Sequence, residues 1–110
     1  VKANDPTVIT PKEALMAATR NGALAQGRMD CGVLKEGNKA DLIVLRTDVP
    51  NMHPVHNMAN NLVYAASDSD VVMTMVDGKV IYKDGDFLTL DMERTIFEAE
   101  AATAKILKML

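Results

Sequence analysis

Two apolar runs, 71–76 and 79–82, stand on either side of Asp77 and Gly78. This spacing constrains the chain more than any other feature. A two-residue connection closes an antiparallel hairpin when both central residues take positive φ, which Asp tolerates and Gly adopts freely. A second turn pattern, Asp84-Gly85-Asp86, follows, and 87–90 reads as a third strand. Upstream, Asp41-Leu42-Ile43-Val44-Leu45 is an apolar run of strand length, expected to be buried on both faces. Three or four strands cannot close a barrel and do not make a complete sandwich. The edges and one face of such a sheet need a partner.

Helical signals flank the strands. Thr10-Pro11-Lys12-Glu13 places Thr at an N-cap, Pro at the first helical position and Glu at the third. Reciprocal bonds between Thr10 and Glu13 would satisfy two backbone donors, and losing such a cap costs ~1 kcal/mol. Ala14, Leu15, Ala18 and Thr19 then share a face. Asn21-Gly22 is expected to end this helix, with Gly22 in a left-handed cap, and 23–26 to add one short turn before Gly27. Gly32 and Gly37 punctuate a loop, with a short strand expected at Val33-Leu34. The segment 47–58, with Pro50, Pro54 and two His, reads as an ordered loop, and 60–66 fits either a helix or a strand. Asp91 can cap a final helix whose Ile96, Ala99, Thr103, Ile106, Leu107 and Leu110 fall near one face.

With 110 residues a single domain is expected. A chain of this size can bury roughly 60–70% of its unfolded surface, and eight Met, Met73 and Met75 among them, suggest a core of flexible side chains. A net charge of −3 with scattered Lys and Arg gives no basic patch for nucleic acid. No apolar stretch approaches the ~20 residues of a membrane span. Cys31 is alone, so no intrachain disulfide forms, and a reducing, cytoplasmic setting fits. The sequence starts at Val1, in what reads as a loop, as an excised piece of a longer chain would.

Two stretches together resemble a known family. One is Glu13-Ala14-Leu15-Met16-Ala17-Ala18-Thr19-Arg20-Asn21-Gly22-Ala23-Leu24-Ala25-Gln26-Gly27; the other runs from Gly32-Val33-Leu34 through Gly37 to Ala40-Asp41-Leu42-Ile43-Val44-Leu45. Their order is similar to the end of an amidohydrolase-superfamily chain: a last barrel helix, a glycine-bounded loop, and a strand opening with Ala-Asp-Leu. Pro50, His56, Asn61-Leu62-Val63-Tyr64-Ala65-Ala66-Ser67 and Val76-Asp77-Gly78-Lys79-Val80 resemble the methylthioadenosine/S-adenosylhomocysteine deaminase branch, and triazine hydrolases share much of this. That branch often has His after the loop proline, where this chain has Asn51.

The resemblance implies an α+β fragment of a (β/α)8 barrel enzyme with a composite β-sandwich. Residues 1–27 would be the end of the barrel, 28–90 the C-terminal part of the sandwich and 91–110 a closing helix. Thr10, Glu13, Gly22, Gly32, Gly37, Asp41, Asp77 and Gly78 would be structural positions. It also implies a full-length enzyme that uses zinc or another divalent ion to activate water against a heterocyclic amine. The family's metal-binding His-x-His pair and last Asp ligand would precede this chain, and Asp-Pro-Thr at Asp5 resembles the loop after that ligand. No catalytic, metal or cofactor residue is therefore expected here.

The residues themselves agree with the plainer readings. His53 and His56 are separated by Pro54 and lack a third ligand at a recognisable spacing, so they read as loop or interface histidines. Cys31 lacks a local base and reads as a buried or incidental thiol. Asn60-Asn61 read as solvated or capping amides, and Asp68, Asp70, Asp84 and Asp86 as turn residues. The expected partner is the N-terminal remainder of the same polypeptide, with a homo-oligomer also open. Methylthioadenosine or S-adenosylhomocysteine is the first expected substrate of the parent, and a triazine, a guanine or another cyclic amide the rival. A second class of reading is a stand-alone β-rich interaction or dimerisation module.

Overall fold

The computed structural model describes residues 7–109. Asp5 and Leu110 lie outside the described residues. The first helix begins as α1 (Pro11–Met16), passes through a π-helical stretch (Ala17–Asn21) and continues as α2 (Gly22–Ala25). Strand β1 (Leu42–Leu45), a 3-10 turn (Pro50–Met52) and α3 (Met58–Tyr64) follow. A second 3-10 turn (Asp68–Asp70) leads into β2 (Val71–Val76), β3 (Lys79–Lys83), β4 (Asp86–Phe87) and α4 (Met92–Leu107).

The strands form one antiparallel sheet in the order β1-β2-β3-β4. The hairpin turn is as the sequence requires. Val76 pairs with Lys79, and Asp77 and Gly78 take φ of 49° and 78°. The second turn repeats the device, with Asp84 and Gly85 at 50° and 102° between the Lys83–Asp86 pair. Across it the Tyr82 and Phe87 rings meet at 5.2 Å between centroids, a tilted pair that favours this register. Bulges interrupt the ladders at Val44/Leu45 and at Thr74/Met75.

Several expectations need correction. Gly22 does not end the helix. Its φ is −61° and its N–H donates to the Ala17 carbonyl, the longer-range bond of a π turn. A Cβ there would stand 3.1 Å from that oxygen, so the glycine serves the π turn. The helix ends at Gly27, which takes φ of 73°. Val33-Leu34 is not a strand: no neighbouring strand pairs with it, and Asn38 Nδ2 donates to the Val33 carbonyl instead. β4 stops at Phe87; the Leu88 N–H still reaches the Ile81 carbonyl before the chain leaves for the Asp91 cap. For 60–66, left open between helix and strand, the outcome is mainly helix α3, capped by Asn57 Oδ1. β1 is not buried on both faces, since Ile43 is 54% exposed. Met73 and Met75 are only half-buried.

The last two points share a cause. Among the described residues the only buried apolar side chains are Cys31 and Met52. The apolar stripe of α4, including Ile96, Ile106 and Leu107, faces solvent, and α4 makes at most marginal contact with the rest of the described chain. The accessible surface is 8904 Å², whereas a folded monomer of this mass exposes about 5,900 Å². The radius of gyration is 18.5 Å, against about 13 Å for a compact domain of this length.

One joint is nonetheless tightly packed. Gly32, with φ of 78°, lies so close to the first helix that a Cβ would stand 2.8 Å from both Arg20 Cα and the Thr19 carbonyl oxygen. Gly37 has φ of 87° but open space around it. Gly37→Ala should therefore cost only the left-handed strain, roughly 1–2 kcal/mol, while Gly32→Ala adds overpacking worth another 1–3 kcal/mol or so. Denaturation of the two variants side by side reads the difference, and equal losses would refute the close-packing account.

Candidate functional site

Polar side chains converge at two places, one on each side of β1. At the first, Asp41 opens the strand. Its Oδ1 accepts the Asp77 N–H at 2.7 Å and its Oδ2 accepts Arg28 Nη2 at 2.8 Å. The Gly78 N–H donates to the Ala40 carbonyl at 3.1 Å, and Lys39 Nζ lies 3.6 Å from Asp77. The hairpin turn is thus tied to the start of β1, bringing together three of the residues singled out from sequence: Asp41, Asp77 and Gly78. Arg20 Nη1 donates to the carbonyls of Met29 and Cys31, fixing the incoming loop against the first helix. Cys31 is buried there, its thiol donating to Asp30 Oδ1 at 3.4 Å.

The electrostatics follow from these bonds. The Asp77 backbone N–H, with the Cys31 thiol and Arg28 adding, holds the Asp41 carboxyl below its ordinary value. Burial, reinforced by the carboxylate of Asp30, pushes the Cys31 thiol up, which makes it a poor nucleophile. Thr10 and Glu13 complete their capping box at the helix start, with Glu13 Oε2 accepting the Thr10 N–H at 2.8 Å. The hydrogen bonds from Thr10 lower the Glu13 pKa.

The second cluster holds the loop after β1. Asp70 is buried, and its Oδ2 accepts from Asn51 Nδ2 at 2.7 Å and from the Ser67 N–H at 2.8 Å. Asn51 Nδ2 also donates to the Ala65 carbonyl, and Asn61 Nδ2 donates to the carbonyls of Met52 and Pro54. Met52 is sealed beneath them with 0% exposure. Asp70 is therefore more than a turn residue, and Asn61 is a clamp rather than a solvated amide. Asn60 does stay exposed. Sequence reasoning noticed Asn51 only as a departure from a pattern; its proximity to Asp70, across α3, carries no local signal. Arg20 and Arg28 were missed for the same reason.

His53 and His56 are exposed in the loop. Among the described residues no group of three His, Cys, Asp or Glu side chains could hold a metal ion. An open cleft of about 590 Å³ lies between the first helix and the sheet, touching Gly22, Cys31, Gly32, Asp41 and Met75. No helix among the described residues is long and apolar enough to cross a membrane.

Comparison with known proteins gives this geometry its context. The amidohydrolase family model matches residues 1–81, and the chain belongs to that family. It is 39% identical over 104 residues to a 5-methylthioadenosine/S-adenosylhomocysteine deaminase of Dictyoglomus thermophilum, covering 94% of this chain and 24% of that protein. It is 44% identical over 105 residues to a 5'-deoxyadenosine deaminase of Methanoregula boonei, covering 96% of this chain and 23% of that one. A zinc-bound adenosine deaminase from Xanthomonas campestris superposes with a TM-score of 0.91 at 28% identity, over 97% of this chain and 25% of that one. A zinc-complexed atrazine chlorohydrolase from Arthrobacter aurescens gives 0.77 at 31% identity, over 84% and 20%. The chain thus spans about a quarter of the length of the relatives it matches.

Two outcomes are expected from these clusters. Because the folded pKa of Asp41 is depressed, its contribution is complete above the ordinary Asp value of about 3.9 and is lost as pH falls through the lower folded value. The Asp41 side-chain carboxyl carbon resonance should titrate with a midpoint below that ordinary value; a midpoint at or above it would refute the assignment. Asn51→Ala leaves the buried Asp70 short of a donor and should cost about 1–3 kcal/mol in chemical denaturation. Asn51→Asp should be worse, because it sets a second carboxylate against Asp70.

Proposed function

We propose that this chain is the C-terminal structural segment of a metal-dependent aminohydrolase. The observation that carries the reading is the superposition of almost the whole chain on one quarter of a zinc-bound deaminase, together with a sheet and helix whose apolar faces lack cover. In this reading 1–27 is the end of a (β/α)8 barrel, 28–90 the C-terminal share of a composite β-sandwich and 91–110 a closing helix. The eight structural positions act accordingly: Thr10 and Glu13 start the last barrel helix, Gly22 makes room for its π turn, Gly32 lets the loop approach it, Gly37 turns the loop, and Asp41 locks Asp77-Gly78 to β1.

The parent would hydrolytically deaminate a nucleoside-like amine, with methylthioadenosine or S-adenosylhomocysteine first, as the names of the relatives suggest. Zinc or a similar ion would supply an activated water. The described residues do not fit a zinc site by themselves, because no three donors converge. The ion would be held by the N-terminal remainder, and no step of the reaction runs through the described residues. The lone thiol of Cys31 supports a reducing, cytoplasmic setting. A monomeric interaction module would close its own core, which weighs against that form of the alternative; a dimerising module would instead appear as a discrete dimer of the 110-residue chain.

The test uses the full reading frame. Its product should carry about one divalent ion per chain and release ammonia from methylthioadenosine or S-adenosylhomocysteine, while the 110-residue chain alone turns over neither. A full-length product without metal and without turnover on adenosine-type substrates would overturn the reading, as would turnover by the short chain.

A further inference from the structure

Asn21 is the only asparagine in the chain that is followed by glycine. Glycine has no Cβ to obstruct its own nitrogen, so the Gly22 nitrogen can close a five-membered ring on the Asn21 side chain. We infer that Asn21 is a site of spontaneous deamidation and that the π turn guards it. The intact helix holds the amide unreacted, and opening of the helix commits it to a permanent change of backbone.

The step needs only water. Hydroxide takes the Gly22 N–H proton, the nitrogen attacks Asn21 Cγ, and a C–N bond forms. The Cγ–Nδ2 bond breaks, and Nδ2 takes a proton from water and leaves as ammonia. Water then opens the succinimide at the side-chain carbonyl, giving aspartate, or at the main-chain carbonyl, giving isoaspartate. Three features of the fold hold this back. Asn21 has φ of −68° and ψ of −37°, whereas the near-planar ring needs the Gly22 nitrogen turned back toward Cγ. The Gly22 N–H donates to the Ala17 carbonyl, which shields its proton. Arg20 holds the carbonyls of Met29 and Cys31, so the helix cannot turn here without giving up the loop. The site is poised all the same. Asn21 is exposed and its side chain caps nothing, while a π turn and an interior glycine both weaken a helix locally. Asn38, Asn51, Asn57 and Asn61 instead engage their side chains, and each precedes a residue with a side chain of its own. Isoaspartate inserts an extra backbone carbon beside Arg20, where Gly32 packs against the helix, so the modified helix loses its fit to the loop.

The full-length protein and a free peptide of residues 13–35, kept in the same buffer at mildly alkaline pH, test this. A peptide of that length is at best marginally helical alone, so it sets the unhindered rate. Cleavage at lysine and fragmentation mass spectrometry locate the gain of mass that replacing –NH2 by –OH gives. Rearrangement at Asp77-Gly78 or Asp84-Gly85 leaves the mass unchanged and is not confused with it. Asn21 should react in the peptide, and about tenfold or more slowly in the folded protein. Arg20→Gln should speed the reaction in the folded protein and leave the peptide rate unchanged. Amide exchange over 28–33 should quicken in the modified fraction. Equal rates in protein and peptide would overturn the inference, as would a peptide that does not react at Asn21. A folded Arg20→Gln protein that reacts no faster than the parent would also overturn it. Should that variant not fold, the comparison of the unaltered protein with its peptide decides.

Discussion

The Asp41 carboxylate is the point on which the rest of the structure depends. One oxygen takes the Asp77 N–H and the other takes Arg28, so a single side chain joins the sheet's edge strand, the hairpin turn and the loop from the first helix. Charge-assisted bonds to a carboxylate are stronger than neutral ones, and here one of them fixes the left-handed turn residue itself. Without this joint, β1 would be tethered to the hairpin by its ladder with β2, the Gly78–Ala40 backbone bond and the exposed Lys39–Asp77 pair. Its position at the edge, next to a bulge, makes that ladder a weak anchor.

The second cluster does for the loop after β1 what Asp41 does for the loop before it. Asn51, Asn61 and Asp70 satisfy one another and nearby backbone groups around Met52. The two clusters give the segment local order without a hydrophobic core. That combination is unusual for an independent domain, where burial of apolar surface is the dominant favourable term. It is natural for a piece whose apolar faces meet other parts of a larger fold, and it agrees with membership in a family whose members are about four times longer.

The sequence made the local features plain and concealed the distant ones. The Asp77-Gly78 turn, the Thr10–Glu13 box and the Asp91 cap each rest on neighbours within a few residues, where residue type dictates backbone geometry. Gly22 misled because Asn-Gly after a helical run has the chemistry of a C-cap, while the glycine here answers a steric demand from Ala17 inside the helix. Val33-Leu34 misled because strand propensity needs a pairing partner, and none was in reach. The partners of Asp41, and the Asn51 partner of Asp70, lie 13 to 36 residues away, beyond any pattern that spacing can reveal. The family resemblance supplied what spacing could not, an expectation of which larger fold would cover the exposed faces.

The π-helical stretch of Ala17–Asn21 has a consequence for how this chain can vary. A π turn carries an extra residue, which rotates everything after it by about 100° relative to an uninterrupted α-helix. Arg20 and Ala23, which meet the loop at Cys31 and Gly32, are aimed by that rotation. Removing one residue between Ala17 and Asn21 would shorten the helix by very little yet swing its second half away from the loop. Sequence comparison would score such a deletion as a minor gap in a helix, but geometrically it is a change of direction.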